Sequence, residues 1–243
     1  MEDRLYQDTE LVQFYDYDNP GTEDYKRYSR WIKKAESILD IGCGTGTLAV
    51  TMVQKGKKVT ATDFAKEMLE AARKKSDKVT WIQADARLLN IPEKFDLIIL
   101  TGHAFQVFLT DEDRENVFQT IKNHLNDEGI FVFDSRNPLV KDWKTWTEKE
   151  STRFFTHPQH GTIKAWNAWE GNSTTLTYHT FYESKAKGKL WQANSVISFP
   201  TKENISYLLE KVGLKIKTVY GDWEFNTYHP DSEEMIFVGS ISS

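Results

Sequence analysis

The chain has 243 residues, with 31 Lys and Arg against 36 Asp and Glu for a net charge of −5, spread without a basic block, which argues against a polyanion partner such as nucleic acid. A single cysteine excludes a disulfide framework and a thiolate metal cluster. Apolar runs such as Leu97–Leu100 are far too short to span a bilayer, so the expectation is a soluble, cytoplasmic protein with no membrane partner and no metal. Residues 1–21 are acidic and rich in tyrosine (Tyr6, Tyr15, Tyr17), and Asn19-Pro20-Gly21 closes them as a turn. This segment either trails as a loose arm or folds over something. Thr22, or a residue just after it, is expected to cap a helix with Tyr25, Tyr28, Ile32 and Ala35 on one face.

Ser37 to Gly46 reads S-I-L-D-I-G-C-G-T-G, a short apolar strand running into a glycine-rich turn, with helical spacing resuming at Leu48, Met52 and Val53. Gly42, Gly44 and Gly46 stand at alternate positions, where the missing Cβ lets a ligand lie on the backbone. A dinucleotide fingerprint, G-x-G-x-x-G/A, needs Gly or Ala where Thr47 stands, which demotes that reading.

The alternation of strand and helix continues. Lys57 to Asp63 reads as a second strand ending in an acid, at close to the spacing at which nucleotide-type folds place a carboxylate on ribose hydroxyls. Asp63 equally suits a cap for the helix through Met68, Leu69 and Ala72. Val79 to Gln83, followed by Ala84-Asp85-Ala86, is a third strand, and Phe95 to Thr101 is apolar enough for a central parallel strand. After Thr101-Gly102-His103 comes a helix carrying Val117, Phe118, Ile121 and Leu125, ending near residues 126–129. Ile130 to Phe133 is a fifth strand, with Asp134, Arg136 and Asn137 at its end and Pro138 stopping it.

At residue 139 the pattern changes. Thr162–Trp169, Thr174–Tyr182 and Lys189–Phe199 have period two, with Trp191, Ala193, Ser195, Ile197 and Phe199 on one face and turns at Gly171-Asn172-Ser173 and residues 185–188. They predict an antiparallel sheet, residues 139–199, inserted into an α/β domain made of residues 1–138 and 200–243. Its tryptophans form a core of their own, a dimer interface or a cover for substrate. Thr201 then caps a helix with Ile205, Leu208, Leu209 and Val212, ended by Gly213, and Leu214–Tyr220 and Glu234–Ile241 are two last strands.

Asp40, Gly42, Gly44 and Gly46 match the pattern D/E-x-G-x-G-x-G, and the stretch resembles the first motif of the class I S-adenosylmethionine-dependent methyltransferases. The resemblance covers residues 37–134 and 201–241. It implies an α/β fold, a doubly wound, seven-stranded, mostly parallel Rossmann-like sheet, with S-adenosyl-L-methionine as cofactor. In that family the glycine loop packs on the methionyl part and the strand-end acid supports its amino group, which points to Asp40, Gly42, Cys43, Gly44 and Gly46. The resemblance further implies Asp63 on the ribose diol, flanked by Phe64 and Met68, Asp85 on the adenine amino group with the Ala86 N–H on a ring nitrogen, and Thr101 at the end of the fourth strand.

His103 is the first residue that could touch the reacting atoms, as a base, a substrate hydrogen bond or a bond within its loop. Tyr15, Arg136 and Trp166 are expected on the acceptor side. The activity implied is transfer of the methyl to a small-molecule acceptor, an amine or a hydroxyl, by in-line displacement in a monomer or homodimer. The insert and the tyrosine-rich N-terminus resemble covers of small-molecule members, some of which methylate amino groups on sugars. The alternatives are a nicotinamide-dependent oxidoreductase and a non-catalytic S-adenosylmethionine-binding regulator.

Overall fold

A computed structural model describes residues 3–21, 23–172 and 174–242. In chain order the elements are α1 (Arg4–Gln7), α2 (Thr9–Asp18), α3 (Asp24–Ile32), β1 (Ser37–Ile41), α4 (Thr47–Gln54), β2 (Lys58–Asp63), α5 (Lys66–Arg73), β3 (Thr80–Gln83) and β4 (Phe95–Leu100). They continue as α6 (Asp111–His124), β5 (Leu125–Arg136), α7 (Glu148–Ser151), β6 (Arg153–His157), β7 (Gly161–Gly171), β8 (Thr175–Ser184), β9 (Lys189–Ser198), α8 (Lys202–Lys211), β10 (Leu214–Tyr220) and β11 (Glu234–Ile241).

Seven strands form one sheet in the order β10-β11-β5-β4-β1-β2-β3. β1 to β5 are parallel, and β11 runs antiparallel between β5 and β10. The central strands are apolar throughout because helices cover both faces. On one face Val117, Phe118 and Ile121 of α6 and Ile205, Leu208 and Leu209 of α8 pack on Leu39, Ile98, Phe131 and Phe237. On the other, Tyr28 and Ile32 of α3 and Leu48, Ala49 and Met52 of α4 pack on Ile38, Leu97, Ile99 and Val132. Thr201 caps α8, its hydroxyl accepting the Asn204 N–H, and Gly213 leaves it at φ +82°.

β6 to β9 form a separate antiparallel sheet, with consecutive strands paired. The period-two pattern finds β7, β8 and β9 but not β6, where adjacent Phe154 and Phe155 break the alternation. Phe154 of this edge strand is 66% exposed. Residues 3–18 fold over the chain as two helices, and the loose-arm alternative does not hold for them. Phe14 of α2 is fully buried in a cluster with Ile163, Tyr182 and Trp191 of the second sheet. The expected cap Thr22 lies outside the described residues; α3 starts after Glu23 with no side-chain cap bond. β5 begins at Leu125, earlier than the apolar run Ile130–Phe133 suggests, because Leu125 already pairs with Phe95.

Candidate active site

Parallel strands bring the loops after β1, β2, β3, β4 and β5 to one sheet edge, where α/β sheets bind ligands. Because β11 is antiparallel to β5, its first residue, Glu234, pairs with Arg136 and joins the same edge. A cavity of about 820 Å³ runs along it. The glycine loop lines it, as do Tyr15 of α2, Tyr178 and Tyr182 of β8 and Asn194 to Ile197 of β9.

The glycine loop is built for positive φ: Gly42, Gly44 and Gly46 have φ +73°, +54° and +73°. A Cβ on Gly44 would lie 3.7 Å from the Tyr15 hydroxyl, in ordinary contact with the underside of α2 and with no clash. A Cβ on Gly46 would lie 2.3 Å from Trp81. Gly46 is not on the cavity wall, and its lack of a side chain serves close packing on β3, a correction to its reading as a ligand contact.

Asp63 fixes this loop. One carboxylate oxygen accepts the Gly44 N–H at 2.8 Å and the other the Ala65 N–H at 2.8 Å. Each oxygen has a lone pair left, which suits a vicinal diol. Burial raises the Asp63 pKa, against the lowering effect of these N–H groups.

Asp40, at the end of β1, is 1% exposed, behind the wall, and its Oδ1 has no hydrogen-bond partner among the described residues. Burial, with Asp63 and Asp24 nearby, pushes its pKa up to about 7. A buried carboxylate oxygen without a partner beside a glycine loop fits an ammonium group. Cys43, Phe64, Met68, Ala86 and Thr101 all line the cavity.

Asp85 lines it too, but as half of an ion pair. Its oxygens accept from Arg87 Nε and Nη2, and Arg87 Nη1 reaches Asp113 at 2.6 Å. Arg87 holds the Asp85 carboxyl below its ordinary value. The remaining lone pairs must serve any ligand amino group.

His103 lines the same cavity. It adopts φ +61°, held there by its N–H donating to Asp134 Oδ2 at 2.8 Å, while Asp134 Oδ1 accepts from the Tyr28 hydroxyl at 2.6 Å. His103 Nε2 lies 2.9 and 3.0 Å from the two oxygens of Glu234. Burial, then the Arg136 charge, holds the imidazole down at about 4, and burial pushes Glu234 up to about 7. His103, Asp134 and Glu234 bring three metal-ligand types within 4.8 Å of one another. Both Asp134 oxygens already serve Tyr28 and the His103 N–H, so the trio is complete as a hydrogen-bonded unit.

On the acceptor side, Arg136 lines the cavity, donating to Gln106 Oε1 at 2.8 Å and pairing with Asp142 at 3.1 Å. Its guanidinium lies 5.0 Å from the centre of the Trp146 ring, which in turn meets Tyr178 edge-on. Trp166 does not reach the cavity. Successive residues of a strand face opposite sides, and Trp166 stacks on Phe181 across the face opposite Ala165 and Tyr182. The acceptor role expected for it is therefore withdrawn.

Sequence reading missed several residues that the fold brings here: Glu234, Trp146, Tyr178, and Asp18 with Arg153. Asp18 accepts from Arg153 and from the Tyr182 hydroxyl, tying α2 to the second sheet. Their positions follow from tertiary contacts between segments far apart in the chain and carry no local signal. Glu234 in particular reads only as the start of a strand until its register opposite Arg136 is known.

Residues 38–129 match the family described as a methyltransferase domain. The chain is 23% identical over 225 residues to the putative methyltransferase YqeM of Bacillus subtilis, covering 88% of this chain and 89% of that protein. It is 26% identical over 208 residues to a glycine/sarcosine N-methyltransferase of Aphanothece halophytica, covering 82% and 74%. The sugar N-methyltransferase KedS8 of a Streptoalloteichus species superposes with a TM-score of 0.75 at 16% identity, over 94% of this chain and 93% of that one. The family match spans the glycine loop, Asp63 and Asp85, and the sheet order carries them to one edge. The nicotinamide reading thereby falls: residues 38–129 form a methyltransferase domain, and the chain as a whole is similar to class I S-adenosylmethionine-dependent methyltransferases.

Proposed function

We propose that this methyltransferase moves the methyl of S-adenosylmethionine to a small-molecule amine or hydroxyl, held between the strand edge and the second sheet. The observation that carries this reading is the shared cavity. Its lining includes the glycine loop, Asp63 and Asp85 on the one hand and Arg136, Trp146, Tyr178 and Tyr182 on the other. When bound, the cofactor supplies an electrophilic methyl on its sulfonium. Asp40 would face its ammonium group, Asp63 its ribose diol, and Asp85 with the Ala86 N–H its adenine. His103, Tyr15 and Arg136 would orient the acceptor for in-line attack; alignment of this kind lowers barriers by up to about 7 to 11 kcal/mol.

The division into a cofactor part, residues 1–138 and 200–243, and an acceptor part, residues 139–199, belongs to the same reading. So do a cytoplasmic location and a monomeric or homodimeric state. No helix among the described residues is long and apolar enough to cross a membrane. The similarity to glycine/sarcosine and sugar N-methyltransferases supports a polar amine as acceptor. The test is formation of S-adenosylhomocysteine from S-adenosylmethionine with glycine, sarcosine and an aminodeoxy sugar, followed by a wider panel of small amines and alcohols. Tight S-adenosylhomocysteine binding without turnover on any of them would move the protein to a binding, regulatory role.

A further inference from the structure

His103 is fixed at both ends by different elements. Its backbone N–H is held by Asp134 of β5, and its ring by Glu234 of β11, through Nε2 at 2.9 and 3.0 Å. The imidazole lines the cavity, whereas Glu234 does not. With Nε2 engaged, Nδ1 is the ring nitrogen without a hydrogen-bond partner among the described residues. A carboxylate on one imidazole nitrogen fixes the tautomer and leaves the other nitrogen with a free lone pair.

We propose that Glu234 is a positioning residue that holds His103 as the Nε2–H tautomer, so that Nδ1 faces the acceptor as a proton acceptor during methyl transfer. This deepens the function proposed above and rests on it. In the step, the acceptor's heteroatom forms a bond to the methyl carbon as the carbon–sulfur bond breaks, and that electron pair stays on sulfur. The proton leaving the acceptor goes to His103 Nδ1, and its former bonding pair remains on the acceptor. The imidazolium so formed donates Nε2–H to the Glu234 carboxylate, which stabilises the new charge. The other charged and titratable groups around the ring are Asp134 and Arg136 of β5, Asp142 of the following turn, and Arg27 and Tyr28 of α3. Arg136 and Arg27 oppose a proton on the ring and Asp134 and Asp142 favour it, so Glu234 is the group whose geometry decides which nitrogen carries it.

The whole chain, labelled with ¹⁵N-histidine and saturated with S-adenosylhomocysteine, provides the test, with His103→Asn assigning the resonance among the six histidines. The expected spectrum shows neutral His103 as the Nε2–H tautomer at pH 7.5, and Glu234→Ala returns it to a mixture. With a panel amine that gives turnover, Glu234→Ala should lower kcat about tenfold or more, part of the roughly hundredfold lower bound for a general acid–base contribution, and alter the acid limb of its pH profile at constant KM for the cofactor. A bare Nε2 in the unmutated protein, a tautomer indifferent to Glu234→Ala, or specific broadening of the His103 signals by equimolar Mn²⁺ would each overturn the assignment. Calorimetry with S-adenosylhomocysteine separates the two levels. If the unmutated protein does not bind it, the proposed function fails; if it binds while the tautomer is wrong, only the role of Glu234 fails.

Discussion

Asp16 of α2 accepts a hydrogen bond from the hydroxyl of Thr45, which fastens the N-terminal helix directly to the glycine loop. Lys75 reinforces the joint by pairing with Asp16 at 2.6 Å and donating to Thr47 at 3.0 Å. The tyrosine-rich segment is thus tied to the glycine loop as well as to the second sheet.

The cofactor assignment predicts that S-adenosylhomocysteine raises the melting temperature and NAD does not. Stabilisation follows RT ln(1 + [L]/Kd), about 2.7 kcal/mol at a hundredfold excess over Kd. Thermal-shift assays check this; a shift with NAD alone would contradict the family assignment.

Two glycines of the loop should fail in different ways. Gly46→Ala places a Cβ 2.3 Å from Trp81 at φ +73°, so it should destabilise the fold by roughly 2 kcal/mol or more through overpacking and backbone strain. Gly44→Ala meets nothing closer than 3.7 Å and carries only backbone strain of about 1 kcal/mol, yet it crowds the space under Tyr15. Urea unfolding should therefore single out Gly46→Ala, and calorimetry with S-adenosylhomocysteine should single out Gly44→Ala. Equal unfolding midpoints for the two variants would show that Trp81 does not enforce Gly46.

Asp63→Ala should weaken S-adenosylhomocysteine binding by roughly 2 to 4 kcal/mol, since it removes the acceptor for the diol. It also frees the Gly44 and Ala65 N–H groups, so part of that loss comes from a looser loop. Comparing S-adenosylhomocysteine with its 2′-deoxy analogue separates the parts. The unmutated protein should discriminate between them and the variant should not.

Asp40 makes stability depend on pH. Its folded pKa, about 7, is raised above the unfolded value near 3.9, so between these the folded chain keeps a proton that the unfolded chain has released. Stability therefore falls as pH rises from about 4 to about 7, by an amount of order 4 kcal/mol from this group. A ligand ammonium would offset the charge, so S-adenosylhomocysteine should bind more tightly at pH 8 than at pH 6. Asp40→Asn should remove that slope, raise the stability of the ligand-free protein at pH 8 and weaken binding. Urea titrations with the same pH dependence in both proteins would refute this.

The cofactor half of the site was legible because its determinants are local: strand, glycine loop, helix and strand-end acid follow one another in the chain. The acceptor half was not. Arg136 could be placed from the end of β5, but Glu234 reaches His103 only through the long-range pairing of β11 with β5, and Trp146 and Tyr178 reach the cavity only through the seating of the second sheet against the first. Trp166 misled because period two fixes which residues share a face without saying which face meets the rest of the protein. Only the seating of Phe14 against Tyr182 and Trp191 decides that, and it depends on α2, a helix that composition left as either an arm or a cover.

The same seating governs what happens when the second sheet is disturbed. Replacing residues 139–199 by a linker would cost α2 its seat, because Phe14 packs in the cluster of the second sheet and α2 carries Asp16, which holds Thr45 of the glycine loop. Asp18→Ala tests that coupling with less damage. It leaves Arg153 without its carboxylate and the Tyr182 hydroxyl without its acceptor. Because the Asp18 side chain is 3% exposed but Arg153 is 35% exposed and stays partly hydrated, breaking this pair should destabilise by roughly 1 to 3 kcal/mol. By contrast, removing the i,i+4 pair between Arg4 and Asp8, whose Arg4 side chain is 66% exposed, should change stability by no more than about 0.5 kcal/mol. Hydrogen exchange of the α2 amides should accelerate in Asp18→Ala, and S-adenosylhomocysteine should dissociate faster although the glycine loop, Asp40, Asp63 and Asp85 are unchanged. Unaltered α2 exchange together with an unaltered off-rate would show that the glycine loop keeps its shape without help from the second sheet.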